Sequence, residues 1–509
     1  MKFRPLAAGI AVLTAATVAL AGCAGGGGAA TGGTTAGKTL TLGSLSNVTS
    51  FDPAQAHLGH LMPTYQAAYD TLILREPDGT LAPMLATKWE YNDDQTQLTL
   101  DLRDDVTFTD GAKFDAAAAK ANLDHFKSAN GPDANEAKSI KDVQVVDDDT
   151  VRVDLTEADP AMLYYLSQAA GFMGSPKALG TEAIKTDPVG SGPYVLDKAA
   201  SVNGSQFTFT KNPKYWNKDL QKYDKVVVKI LPDVTARLNA IVSGQVDAVL
   251  LDPKTAPKAE QAGLTQTKWT NDWSGLLLFD RDGKIVPALK DVKVRQAINY
   301  AFDRKTMLKE VMGGEGEVTS QVFGKSNDAY IPALDDAYPY DPAKAKQLLS
   351  EAGYPDGFSM NVPLLPGTES IMAVVKQQLA DVGITIKLSS VPQTSYVSDI
   401  IAGKFPLAWF QIFQGEPWVA IRQMITTDAA YNPFHTTSDE LQADIDAVQT
   451  GGDKAGELAK KVNQYVTDNA WFAPWFRVNQ QYFTNAKKVK VEVQIQQAVP
   501  NLYNYSPAS

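Results

Sequence analysis

The sequence predicts an α/β protein with mixed sheets covered by helices, whose chain builds one body, then a second, and returns to the first, leaving a cleft between two lobes. Three observations carry this. The run "YDKVVVKILPDVTARLNAIVSGQVDAVLL" (223–251) reads as strand, helix, strand. Residues 81–111 and 141–157 alternate like short antiparallel strands between turn signals. A last alternating stretch, "VEVQIQ" (491–496), is far in sequence from the amino-terminal strands and is expected beside them. With 509 residues and 44% hydrophobic side chains, the chain can build two or three domains with substantial cores.

The first twenty-two residues stand outside that fold. "MKFR" is a short basic region and "PLAAGIAVLTAATVALAG" is an apolar run ending in small residues, the pattern of a secretory signal peptide (1–22). Cys23 is the only cysteine, so it has neither a disulfide partner nor a second thiol for a metal. Leu20 to Cys23, "LAGC", resembles the lipobox of bacterial lipoproteins, in which the cysteine becomes the first residue and carries lipid. An ordinary signal peptide with an incidental cysteine is the plainer alternative. Several acyl chains would hold a soluble domain at a membrane, since each buried methylene contributes roughly 0.8 kcal/mol. Residues 23–37 then form a lipidated flexible tether, rich in Gly, Ala and Thr. Loss of Lys2 and Arg4 with the signal leaves 45 basic against 58 acidic side chains, a charge of −13, which argues against nucleic acid as a partner.

"KTLTLGS" (38–44) alternates as a strand, and a loop, a helix and a turn at Pro77 to Gly79 come next. Thr99 to Arg103 is a strand, and 114–127 is an Ala-rich helix with Asp115 as its cap. Two runs around Asp147 to Asp149 make a hairpin (141–157). In 223–251, Leu238 and Ile241 lie on the buried side of the helix and Gly244 stops it. Val294, Ala297, Ile298, Ala301 and Phe302 recur at helical spacing within 291–311. Asp341, Pro342 and Gly353 bracket another helix, and Gly383 separates a helix from a strand. "SDELQADIDAVQT" and "ELAKKVNQYVTDNAWFAPWF" (457–476) read as two more helices. The acidic pairs and triplets, including Asp335 and Asp336, are expected to face solvent.

Catalytic signals are weak. His57, His60, His125 and His435 form no His-Glu-x-x-His motif, and His57 and His60 are read as loop or surface histidines. Ser191 in "GSGPY" is followed by Gly192 and Pro193, which do not fit a nucleophile elbow. No catalytic residue, metal site or cofactor is therefore assigned. Aromatic residues give the positive signal for a binding protein: Trp409, Phe413 and Trp418 crowd into "LAWFQIFQGEPWVA" with Gln411 and Glu416, polar groups suited to orienting a solute. Tyr65 and Tyr69 offer another wall, as do Trp269 and Trp273. The candidate ligand-binding set is Trp409, Gln411, Phe413, Glu416, Trp418 and Tyr65, with Cys23 as the lipidation site.

"FDPAQA", "YDTLILREPDGTLAPMLATKWEYNDDQTQLTLDLRDDVTFTDGAKFDAAAA", "VGSGPYVL", "NPKYW", "ARLNAIVSGQVDAV", "DVKVRQAINYAFDRKTML", "YDPAKAKQLLSEAGY" and "LADVGITIKL" are similar, in order, to blocks of the family 5 extracellular solute-binding proteins. That family serves bacterial ABC importers for peptides, opines and nickel. The resemblance implies the two-lobed periplasmic-binding-protein-like fold (type II, with an extra subdomain). First-lobe segments would be 38–70, 190–285 and 480–509, the extra subdomain 71–189 and the second lobe 286–479. It also implies a monomer that takes a small peptide or peptide-like solute and hands it to ABC permease subunits. Peptide-binding relatives anchor the peptide amino group on an aspartate three residues after a tryptophan. Trp409 matches that tryptophan, but the aspartate position is Ile412. An ammonium buried there without a carboxylate would keep a desolvation penalty of several kcal/mol. Either Glu416 replaces the acid, or the solute lacks a free amino group, as an oligosaccharide or another neutral compound would. Arg422 is read as pairing at the surface rather than with a ligand carboxylate.

Overall fold

Strand Lys225–Ile230 is rich in β-branched residues and pairs in parallel with Thr39–Ser44, which also pairs in parallel with Ala248–Leu251. Helix Val234–Val242 joins the outer two, so the expected strand, helix, strand unit is present with the amino-terminal strand at its centre. Asp233 caps the helix by accepting from Ala236 N at 2.7 Å, and Gly244 follows it in the left-handed region at φ 72°. Leu238 and Ile241 bury against Val249 and Phe483. This computed structural model describes residues 38–508; the segments read above as signal peptide and tether, with Cys23, lie outside the described residues.

The three strands belong to a nine-stranded mixed sheet that also contains Tyr194–Leu196, Gln206–Lys211, Thr265–Leu278, Gly316–Val318, Leu407–Phe413 and Phe472–Thr484. Two of these are long and pair antiparallel along their length. At one end Phe472–Thr484 borders Ala248–Leu251. At the other, Leu276, Leu278, Ala473 and Trp475 enter a separate core with Val294, Ala297, Ile298, Leu348 and Val375. Two strands thus tie the cores together. A second, four-stranded antiparallel sheet holds the expected hairpin, Ile140–Val145 with Thr150–Leu155, beside Gln97–Leu102 and Ala86–Tyr91. Helix Ala116–Ser128 packs on it, capped by Asp115 at Ala118 N.

The structure corrects several readings. The 291–311 segment is two helices, Val292–Tyr300 and Arg304–Met312: Asp303 caps the second by accepting from Thr306 N at 3.0 Å. Arg304, buried at the break, donates to the carbonyls of Asn299, Tyr338 and Pro474. The helix expected through Phe476 ends at Asp468, and "FAPWF" opens strand Phe472–Thr484. Its residues are buried on both faces, which erases the alternation that marks a strand. In "VEVQIQ", only Val491 belongs to a strand, Val489–Val491, which pairs with Tyr505–Pro507 rather than with the amino-terminal strands. The return to the first sheet is made by Phe472–Thr484 instead. Asp335 does not simply face solvent; it bonds the buried guanidinium of Arg477 at 2.6 Å.

Candidate functional site

Two cavities share Tyr164 in their walls. The first, about 340 Å³, has Tyr164, Tyr165, Gln168, Asn271, Asp272 and Phe413 in its wall. The second, about 350 Å³, includes Arg75, Tyr164, Asp328, Glu416 and Gln496. Both draw on the early chain, on residues between 326 and 419, and on the carboxy-terminal 495–498 segment or the strand before it.

A bulge builds the first cavity. Along Thr265–Leu278 the register with Phe472–Thr484 shifts between Thr270 and Asp272, leaving Asn271 as the extra residue. Adjacent strand residues normally point to opposite faces; here Asn271 and Asp272 both border the cavity. Gln414 N donates to Asn271 O at 2.8 Å and ties the end of Leu407–Phe413 to the bulge. The Asp272 carboxylate accepts from Asn271 Nδ2 at 2.9 Å and from Gln411 Nε2 at 2.7 Å. Burial raises its pKa, and the two amides counter only part of this. Glu136 lines the same cavity; its carboxyl is pushed well up by burial and then by Asp133, while Ala170 N donates to it. The hydrogen bond from His57 Nδ1 to Asp133, at 3.0 Å, raises that imidazole, whereas burial lowers His60 to about 4.

The second cavity is organised by charge. Arg75, 5% exposed, donates to Ile495 O at 2.8 Å and to Gln496 Oε1, and its guanidinium lies 5.3 Å from the Tyr164 ring centre. Glu416 caps helix Pro417–Met424 by accepting from Val419 N at 3.1 Å. Burial lifts its pKa to about 7, with those helix amides pulling the other way.

The candidate residues divide accordingly. Trp409, Gln411 and Phe413 share one face of their strand, while Phe410 and Ile412 face the core at 8% and 4% exposure. Phe413 lines the first cavity; Gln411 stands behind it, holding Asp272. Trp409 donates to Ser274 Oγ at 3.0 Å and packs against the second core. Glu416 lines the second cavity. Trp418 is buried in the main core, and so is Tyr65, whose hydroxyl donates to Ser50 O at 2.8 Å; neither borders these cavities. Trp269 donates to Gln497 O and so holds the carboxy-terminal segment against the site, while Trp273 is fully buried. Arg422 pairs with Glu157 at 3.0 Å, as expected of a surface contact. Ser191 donates to Asp70 at 3.0 Å in a buried cluster with Tyr215 and Trp216.

Sequence reasoning missed Arg75, Glu136, Tyr164, Tyr165, Asn271 and Asp272. For the last two a signal existed: "WTNDW" places two adjacent polar residues inside an otherwise strand-like run.

The model of bacterial extracellular solute-binding proteins, family 5 middle region, matches residues 80–432, more than half of the chain. The chain belongs to that family. It is thereby a solute-binding protein of the kind that serves ABC importers, a receptor class rather than an enzyme class. The glutathione-binding protein GsiB of Salmonella paratyphi A is 32% identical over 371 residues, 70% of each chain. Two solved structures show the same fold. NikA from Brucella suis in complex with Fe(III)-EDTA matches with a TM-score of 0.79 at 24% identity, covering 92% of this chain and 99% of that one. DppA from Helicobacter pylori in complex with peptide STSA matches with a TM-score of 0.75 at 21% identity, covering 92% and 99%. The periplasmic-binding-protein-like α/β architecture predicted from sequence is therefore the one present. The matching family is described as one of extracellular solute-binding proteins, and among the described residues no helix is long and apolar enough to cross a membrane.

Proposed function

We propose that this chain is a lipid-anchored receptor that holds an oligopeptide or peptide-like solute between two lobes and delivers it to the permease of an ABC importer. The observation that carries the reading is the position of the two cavities. Each is lined both by segments assigned to the first lobe and its subdomain (57–60, 75–81, 133–136, 160–168, 495–498) and by second-lobe residues such as Asp328, Phe413, Glu416 and Val419. Cavities of this size and mixed aromatic and amide lining suit a small solute. GsiB is named for glutathione and DppA was solved with a tetrapeptide, which supports a short peptide or a peptide-like compound here. Phe413 and Glu416 are the sequence-derived candidates that reach the cavities. Gln411 and Trp409 act from behind them, and Tyr65 and Trp418 support the wall through the core. The lobe boundaries, a monomeric state and a lipid on Cys23 belong to the same proposal.

Calorimetry of the full-length protein with a panel of di- to tetrapeptides tests it. One-to-one saturable binding is expected, weakened about tenfold by Phe413→Ala through lost aromatic contact. Binding of a neutral oligosaccharide with no peptide binding would favour the competing reading, which Ile412 supports by placing no carboxylate at the amine-anchoring position.

A further inference from the structure

The first cavity is rich in carboxyl groups. Asp133, Glu136 and Asp272 border it, and among the described residues that line it there is no lysine or arginine. Asp133 is engaged by His57. Asp272 is different: both its oxygens accept from neutral amides, and no cation pairs with it among the described residues. A partly buried carboxylate held this way lacks the positive charge that would offset its lost hydration. A second feature points outward from the protein's own bonding. Asn271, 4% exposed, borders the same cavity, and its Oδ1 has no hydrogen-bond partner. The bulge therefore sets a carboxylate with no counter-ion beside a buried carbonyl oxygen with no donor. Tyr164, Tyr165 and Phe413 add ring faces and edges to the same wall.

Taking the cavity as the solute site proposed above, we infer that Asp272, assisted by Asn271 Oδ1, is the anchor for a protonated amine of the solute. An ammonium carries three donors and one positive charge, which matches the two oxygens of Asp272, the orphan oxygen of Asn271 and the aromatic wall. The acid missing at Ile412 is thus supplied by the neighbouring strand: Trp273 is the register partner of Ile412, and Asp272 pairs with Phe413. Glu416 has a different position, capping its helix in the second cavity. The amine is either the terminus of a peptide or the end of a polyamine chain; the chemistry that recognises them is shared.

Trialanine, N-acetyl-trialanine and spermidine, titrated into the full-length protein and its Asp272→Asn variant, test the inference. The expected result is that acetylation weakens trialanine binding roughly tenfold or more, and that Asp272→Asn lowers affinity for trialanine by a similar factor while leaving the acetylated peptide unchanged. Asp272→Asn turns an N–H toward one of the two amides that donate to it, so some loss of stability is expected; the unchanged affinity for the acetylated peptide separates loss of the amine contact from loss of fold. If trialanine and its acetylated form bind equally and Asp272→Asn changes neither, the amine anchor is overturned while the peptide receptor stands. If only spermidine binds, in an Asp272-dependent manner, the peptide reading falls and the anchor stands. If none of the three binds the parent at millimolar concentration, both are overturned.

Discussion

Asp70 shows what a fully buried carboxylate does when the fold gives it donors in place of a cation. Ser191, Tyr215 and Trp216 donate to it at 2.9 to 3.0 Å, with Tyr503 at 3.4 Å, and burial still raises its pKa to about 6. Asp70→Asn points an amide N–H at a group that is itself a donor. It should destabilise the protein by about 2 kcal/mol or more in urea unfolding, and an unchanged midpoint would contradict the network. Glu416 makes a pH-dependent case. Its ordinary value is 4.5 and its folded value about 7, so between these the folded protein keeps a proton that the unfolded chain releases. Stability from this group therefore falls as pH rises through that window. Glu416→Gln keeps an acceptor for Val419 N, and its advantage in melting temperature over the parent should widen from about pH 5 to about pH 8. A constant difference would place the Glu416 titration elsewhere. The aromatic crowding around Trp409 was legible in sequence, but which aromatic reaches the cavity was not, because that depends on the face of the strand that the core occupies. Phe413→Ala should accordingly weaken solute binding more than Trp409→Ala, as read by calorimetry.

At the scale of elements, local chemistry was readable at several helix ends. Asp115 and Asp341 sit at the starts of their helices, and Gly244, Gly353 and Gly383 follow helices with φ between 72° and 99°. The break at Asp303 was less visible because the buried pattern continues through Ala301 and Phe302 without interruption. Asp303→Ala removes the acceptor for Thr306 N and should cost about 1 kcal/mol, with helix Arg304–Met312 losing amide protection before its neighbours in hydrogen exchange. Phe472–Thr484 was misread for a physical reason: a strand inside a sheet covered on both sides carries no alternation, so its aromatic run resembles a buried helix. The bulge at Asn271 left only a faint local mark, the polar residues of "WTNDW", because its register is set jointly by two strands distant in sequence, 265–278 and 472–484.

For the whole molecule, the strand and helix patterns and the order of family-like blocks pointed to the α/β architecture, and the long paired strands explain how two cores stay joined while cavities open beside them. Where the receptor works is a separate question from what it holds. Replacing Cys23 with Ser should move the protein from the membrane to the soluble fraction, and continued membrane retention with lipid labelling would remove Cys23 as the anchor. Native mass spectrometry of the full-length protein, before and after incubation with a defined mixture of di- to tetrapeptides, checks that the chain holds a small peptide-like solute. A single bound molecule of peptide mass per chain is expected, lost on unfolding and diminished in Phe413→Ala. A chain that stays at its bare mass throughout the titration would contradict it.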